Sequence, residues 1–378
     1  GVMSRKGFDY TVRDAQETHV EPIPVEKFDL EEYHQYELAL REKCRKFWSS
    51  DQGVAVYRRF RAPGVFASAC RNMKTSLELQ LGALKESMKY KADIPNFLEP
   101  WYGIGTVTGA FGLEYIWHEN QAPATKPRFS SIAEALSVDP PPVEETEIGG
   151  HILNMIEYFL DKTKGKIPMS FTDTQSPINN ASYLISIDQL FLEMYDNPEA
   201  YTKLLSVISQ LLVDFSRKQQ TLIGDALVYP GHGFASSRVF QGIGMSDDNT
   251  LMISDAFFTR LEVPHREKVG SAFNGCAFHS CGNWTGKIQA VKAISNLVMV
   301  DGAYSDETDP DPNPTEPFRE AFCNTGIVLN ARIVGDADLV AEKVKELWSP
   351  GMKLIVVTYC QDPKEQAKAY DRIHEICS

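Results

Sequence analysis

His279 and Cys281 stand two positions apart in "CAFHSCGNWTG", where an apolar run gives way to glycine and asparagine. If the run is a strand, both side chains point to one face, because side chains alternate with period two. One strand end can then offer an imidazole and a thiol to a single metal ion. The other reading is a packed thiol beside a hydrogen-bonded imidazole. The last apolar run, "KLIVVTYCQDP", stops at Cys360, and the run after "GCAFHS", "NLVMVD", ends in Asp301. Two thiolates and an imidazole suit zinc rather than magnesium or calcium, and three protein ligands leave one coordination position open. Asp301 is a candidate fourth ligand, or else a loop cap. Glu99 and Asp248 are more distant ligand candidates.

Other residues could do chemistry at the same rim. Glu99 ends "ADIPNFLE" against Pro100 and Trp101, as a pocket wall or a solvated rim carboxylate. His232 lies between glycines in "YPGHGF", placed for acid catalysis or substrate contact, and Asp248 falls in "GMSDDN". Glu99, His232 and Asp248 are therefore the candidate catalytic groups. Phe97, Trp101, Tyr229 and Trp284 lie near run ends and suit an apolar pocket. Cys276, inside its run, reads as a buried thiol, and Cys323, which precedes a strand, as structural. The acidic stretch "DETDPDPNP" (306–314) reads as a solvated loop, since it lacks the spacing of a calcium-binding hand.

Eight apolar runs must position these groups: 54–60, 92–99, 167–173, 225–230, 275–280, 296–301, 326–332 and 353–359. They are apolar on both faces, as buried parallel strands are, and mostly alternate with amphipathic stretches such as "NPEAYTKLLSVISQLLVDFSRKQQTLI". Eight strands alternating with helices predict a (β/α)8 TIM barrel, with a doubly wound open sheet as the other α/β solution. Residues 1–50, with "DLEEYHQYELALREKCRKFW", read as an N-terminal helical extension, and 51–378 as one barrel. Residues 104–150, a short hairpin and a proline-rich excursion, and 231–255 are long interruptions. Following strands, they belong to the catalytic face of a barrel. If the barrel closes, His279, Cys281 and Cys360 share one rim.

Composition narrows the function class. The 378 residues are 43% apolar and 24% charged, an ordinary globular balance. A net charge of −13 disfavours nucleic acid or an anionic membrane surface. No apolar stretch approaches the roughly 20 residues of a membrane span, and "GVMSRKGFDYTVRDAQET" lacks the apolar core of a secretion signal. The expected location is cytoplasmic. Seven scattered cysteines there favour free thiols or metal ligands over a disulfide framework.

The His-x-Cys pair, the acidic residue ending the next run and the distant cysteine on the last run resemble the uroporphyrinogen decarboxylase superfamily. The likeness is to its zinc-dependent methyltransferase branch, which works with corrinoid proteins or coenzyme M. "FHSCGN" is similar to that branch's "HxCG" signature. The segments "LQLGALKESMKYKADIPNFLEPWYGIGTVTGAFG", "MYDNPEAYTKLLSVI" and "GIVLNARIVGDADLVAEKVKEL" resemble its second-strand region, a helix, and its penultimate strand with the following helix. The resemblance implies a TIM barrel with zinc on His279, Cys281 and Cys360. It also implies methyl transfer between a small methylated substrate or thiol and a corrinoid (cobalamin) carried by a partner protein. The alternative is a metal-free carboxy-lyase acting on a polycarboxylate, as the true decarboxylases do. Their "RQAGR"-type segment is not matched by "YRRFRAPGVFASA", although Arg58, Arg59 and Arg61 fall there.

Overall fold

The computed structural model describes residues 8–11, 13–306 and 311–378. Part of the acidic stretch, 307–310, lies outside the described residues, as do the first seven. Six parallel strands form the regular part of the sheet: β1 (Gly53–Arg58), β2 (Ile243–Ser246), β3 (Cys276–His279), β4 (Leu297–Ala303), β5 (Val328–Arg332) and β6 (Lys353–Thr358). Their order is β1-β6-β5-β4-β3-β2. β6 is buried at every position, as a strand covered on both faces must be.

Three short segments close the ring. Asp93 and Ile94 donate to the Val56 carbonyl at 2.8 and 3.2 Å, and Leu98 pairs in parallel with Met169. Met169 pairs with Leu227, and Gly244 of β2 donates to the Pro230 carbonyl at 2.9 Å. The fold is thus the TIM-barrel plan, with one addition. β2 lies inside 231–255, which reads in the sequence as a loop, and the 226–230 segment runs into it without an intervening helix. The other ring segments each lead into a helix, as the barrel plan requires.

The helices bury amphipathic stripes on this ring. Pro198–Ile223 starts where the Asn197 side chain accepts from the Ala200 amide and proline occupies the first turn. It buries Tyr201, Leu204, Leu205, Ile208 and Leu212, at helical spacing. The N-terminal helix Leu30–Ser49 begins at Asp29, which caps the Glu32 amide, and it covers strand starts rather than strand ends. Its Trp48 stacks on Phe240 at 4.7 Å, Lys353 donates to the Trp48 carbonyl at 2.6 Å, and Glu37 pairs with Arg238 at 2.6 Å. At the opposite rim, just past the strand ends, the Gln361 amide donates to the Tyr10 hydroxyl at 3.1 Å and the Thr18 amide to the Arg61 carbonyl at 3.0 Å. The expected hairpin in 104–150 is present as an antiparallel bridge between Ile116 and Ala124. Among the described residues no helix is long and apolar enough to cross a membrane.

Candidate metal centre

β2 and β3 are neighbours, and Ser246 is level with His279 in their register. Two residues beyond each partner, Asp248 and Cys281 are level again. Ligand atoms of Asp248, His279 and Cys281 all lie within 4.8 Å of one another. The Cys281 sulfur is 3.7 Å from His279 Nε2. Two such atoms on one tetrahedral zinc, with bonds of about 2.3 and 2.0 Å, would be about 3.6 Å apart. One thiolate, one imidazole and one carboxylate are a donor set that zinc accepts. The group fits a zinc ion with one position left over.

Each member is held from behind. After Cys281 the chain turns at Gly282 with φ +77°, a left-handed conformation that favours glycine. Asp247 points the other way and forms a buried ion pair with Arg266 of the helix Val263–Ser271, which leaves Asp248 facing outward. The Asp248 amide donates to Asn179 Oδ1 at 3.2 Å, and Asn179 Nδ2 donates to the Ser246 carbonyl at 2.9 Å.

Asp301 does not join the group. It lies within β4, which continues to Ala303, and it is fully buried. His279 Nδ1 donates to Asp301 Oδ2 at 2.6 Å, which fixes the tautomer and turns Nε2 toward Cys281. Asn330 Nδ2 and Arg332 Nε donate to the same carboxylate at 2.7 and 3.1 Å. Burial alone would raise this carboxyl's pKa. The Arg332 guanidinium and the bonds from His279 and Asn330 outweigh it and hold the group well below the usual carboxylate range. Asp301 orients the His279 ring and lies outside the cluster of Asp248, His279 and Cys281.

Cys360 stands apart as well. It is fully buried, and its sulfur points to the Gly335 carbonyl at 3.8 Å. Burial pushes its thiol up to about 12. β6 is three strands from β3, with β4 and β5 between them.

On the far side of the mouth, Glu99 and His232 do come together. His232 Nδ1 lies 2.6 Å from Glu99 Oε2, and its Nε2 lies 3.5 Å from Asp173 Oδ2. Asp173, at the end of the third ring segment, is a residue that sequence reading missed; its only signal is an acid where "MSFTD" stops. Gln175 Nε2 donates to both Asp173 oxygens at 2.8 Å, and Asn179 Nδ2 donates to Gln175 Oε1 at 3.0 Å. A continuous chain of hydrogen bonds therefore links the His232 side to the Asp248 loop. Burial lowers the His232 pKa, but the Glu99 and Asp173 carboxylates outweigh it and raise it to about 9. Since this exceeds the free value of about 6.5, the pairing stabilises the fold most below pH ~6.5, and that contribution fades as pH rises through about 9. An NMR titration of the His232 ring should show a midpoint well above 7. A midpoint at or below 6.5 would contradict the pairing.

The aromatic candidates divide. Phe97 lines the cavity beside Glu99. Trp284 does not reach the mouth: it is fully buried against Phe278, Phe318 and Phe322, and its indole donates to the Asp301 carbonyl at 3.1 Å.

The family model for uroporphyrinogen decarboxylase (URO-D) matches residues 48–233. These residues, just under half of the chain, are similar to the uroporphyrinogen decarboxylase family. The matched stretch contains Glu99, Asp173 and His232, and it ends before Asp248, His279 and Cys281. Among solved structures, a methyltransferase from Methanosarcina mazei superposes with a TM-score of 0.60 at 13% identity, covering 97% of this chain and 99% of that one. At that identity the likeness concerns the fold. No curated protein matches the chain.

Proposed function

We propose that this protein is a zinc-dependent methyltransferase that moves a methyl group between a small methylated substrate or thiol and a corrinoid on a partner protein. The observation that carries the reading is the convergence of Asp248, His279 and Cys281 at the barrel mouth, with Asp301 behind the imidazole. The methyltransferase from Methanosarcina mazei, alike along its whole length, supports the same class. Zinc on these three residues would supply a Lewis acid that keeps a thiol deprotonated or polarises a methylated heteroatom.

The chain's own groups do the rest. Asp301 holds His279 through Nδ1 and leaves Nε2 aimed toward Cys281. Asn179 holds the Asp248 loop at the height of Cys281. His232, protonated at neutral pH, is the proton source for a heteroatom that gives up its methyl, and Glu99 and Asp173 hold its ring. The segments 231–255 and 104–150 border the mouth and form the approach for the corrinoid partner.

Replacing Asn179 by leucine should weaken zinc retention by about 10- to 100-fold, as loss of outer-shell support does. Chelator competition measures this, and unchanged affinity would remove Asn179 from its positioning role.

The class itself is tested by mixing the zinc-loaded protein with methoxy compounds or thiols and free cobalamin. A zinc-dependent change in the cobalamin spectrum is expected. Metal-independent release of carbon dioxide from a porphyrinogen, without methyl transfer, would overturn the reading in favour of a decarboxylase.

A further inference from the structure

Among the described residues, the large hydrophobic side chains left exposed are Leu192, Tyr195, Leu251 and Met252, at 54, 53, 42 and 59%. Single apolar residues on a surface need no explanation, but these four form one face. Leu192 and Tyr195 stand three positions apart on the helix Ile187–Asp196 and so share a side of it. The Tyr195 ring meets Phe257 edge-on at 4.3 Å, which joins that helix to the stretch carrying Leu251 and Met252. A Cβ built on Gly282 would lie 3.6 Å from Leu251 Cδ1, so Leu251 abuts the turn next to Cys281. The apolar face therefore begins beside the metal group and runs outward to Leu192.

The edge of this face is acidic. The charged residues of 187–199 and 248–260 are Asp188, Glu193, Asp196, Glu199, Asp248 and Asp255 against Arg260 alone. Glu193 accepts from the Ile132 amide at 3.0 Å, Lys287 pairs with Asp255 at 2.7 Å, and a metal would engage Asp248. Asp188, Asp196 and Glu199 remain, all exposed. A second copy of this chain would set these acids against themselves in an isologous contact, and an anionic lipid surface would be repelled. The complementary occupant is a protein with an apolar centre and a basic rim. Position supplies the other half of the argument. A partner that brings an atom to the metal centre buries about 800 Å² on each side, a disc of about 16 Å radius. Centred on Cys281, such a disc contains Leu251 and Met252.

We propose that Leu192, Tyr195, Leu251, Met252 and Phe257 form the docking face for the partner protein, which meets it with an apolar centre edged by lysines or arginines. The inference rests on the proposed function only for what the partner carries, a corrinoid. It puts the approach on the Ile187–Asp196 side of the mouth, beside 231–255, rather than on the 104–150 side.

The test puts photo-reactive benzoylphenylalanine in place of Met252, of Leu192 or, as a control, of Glu42, exposed on the helix that covers the strand starts. Each full-length, zinc-loaded protein is irradiated in an extract of its source cells, and the adducts are identified by mass spectrometry. Positions 252 and 192 should capture one and the same protein, and position 42 should not. That protein, purified, should bind the wild-type chain in calorimetry. Leu192→Asp combined with Tyr195→Asp should weaken binding at least about tenfold, with zinc content unchanged. Asp196→Lys should weaken it severalfold at low salt and less at high salt, because salt screens the charged rim. It decides the matter should the double variant not fold. No capture beyond that at position 42, adducts only with further copies of this chain, binding to phosphatidylglycerol vesicles instead, or unchanged affinity in both variants would overturn the docking face. A partner that meets every condition but contains no cobalt would overturn the proposed reaction alone.

Discussion

Cys281→Ser protein is expected to purify without zinc yet melt within about 0.5 kcal/mol of wild type, as exposed substitutions generally do. Cys281 is exposed at the rim, so its loss opens no cavity in the core. What disappears is the soft ligand. A serine hydroxyl is not deprotonated near neutral pH as a thiol on zinc is, so the loss of affinity should exceed the roughly 10- to 100-fold of an outer-shell change. Cys360→Ser should do the reverse. The metal should stay, while stability falls by about 1–3 kcal/mol, because a hydroxyl would enter a fully buried site. Zinc per chain after dialysis, read beside a thermal melt, separates the two. Equal zinc loss from both variants would place Cys360 in the metal centre.

The second large effect is expected at Asp301. Asp301→Asn keeps the shape but removes the charge that faces Arg332, His279 and Asn330. Breaking a buried pair from one side leaves a cation uncompensated and costs about 3–5 kcal/mol. Zinc retention should fall by about 10- to 100-fold at the same time, since the His279 ring loses its anchor. Because the Asp301 pKa is depressed in the fold, its contribution is fully present above the unfolded value of about 4 and is lost as pH falls below it. The variant should therefore lose much of the wild type's acid-limb dependence below pH ~4. A variant that melts like wild type at pH 7 and keeps its zinc would refute both roles.

Much of this arrangement is legible in the sequence, and the parts that are not have physical causes. Period-two alternation and the strand-ending glycine place His279 and Cys281 together, and apolar runs mark eight ring segments. β2 stays hidden because it spans four residues and lies among glycines and serines. Spacing sets the height of a residue along the barrel, not its place around it. Cys360 therefore reads as a partner of Cys281 although three strand spacings of about 4.8 Å lie between them along the ring. Asp248 reads as remote although its strand adjoins β3. Asp301 is placed correctly in its run, but its role depends on Arg332 and Asn330, which only the β4–β5 register reveals.

The most direct measurement is zinc-edge X-ray absorption on the zinc-loaded protein without added thiol. The account predicts one sulfur at about 2.3 Å among lighter nitrogen and oxygen donors near 2.0 Å. Two sulfurs, or a purified protein that takes up no zinc, would contradict it.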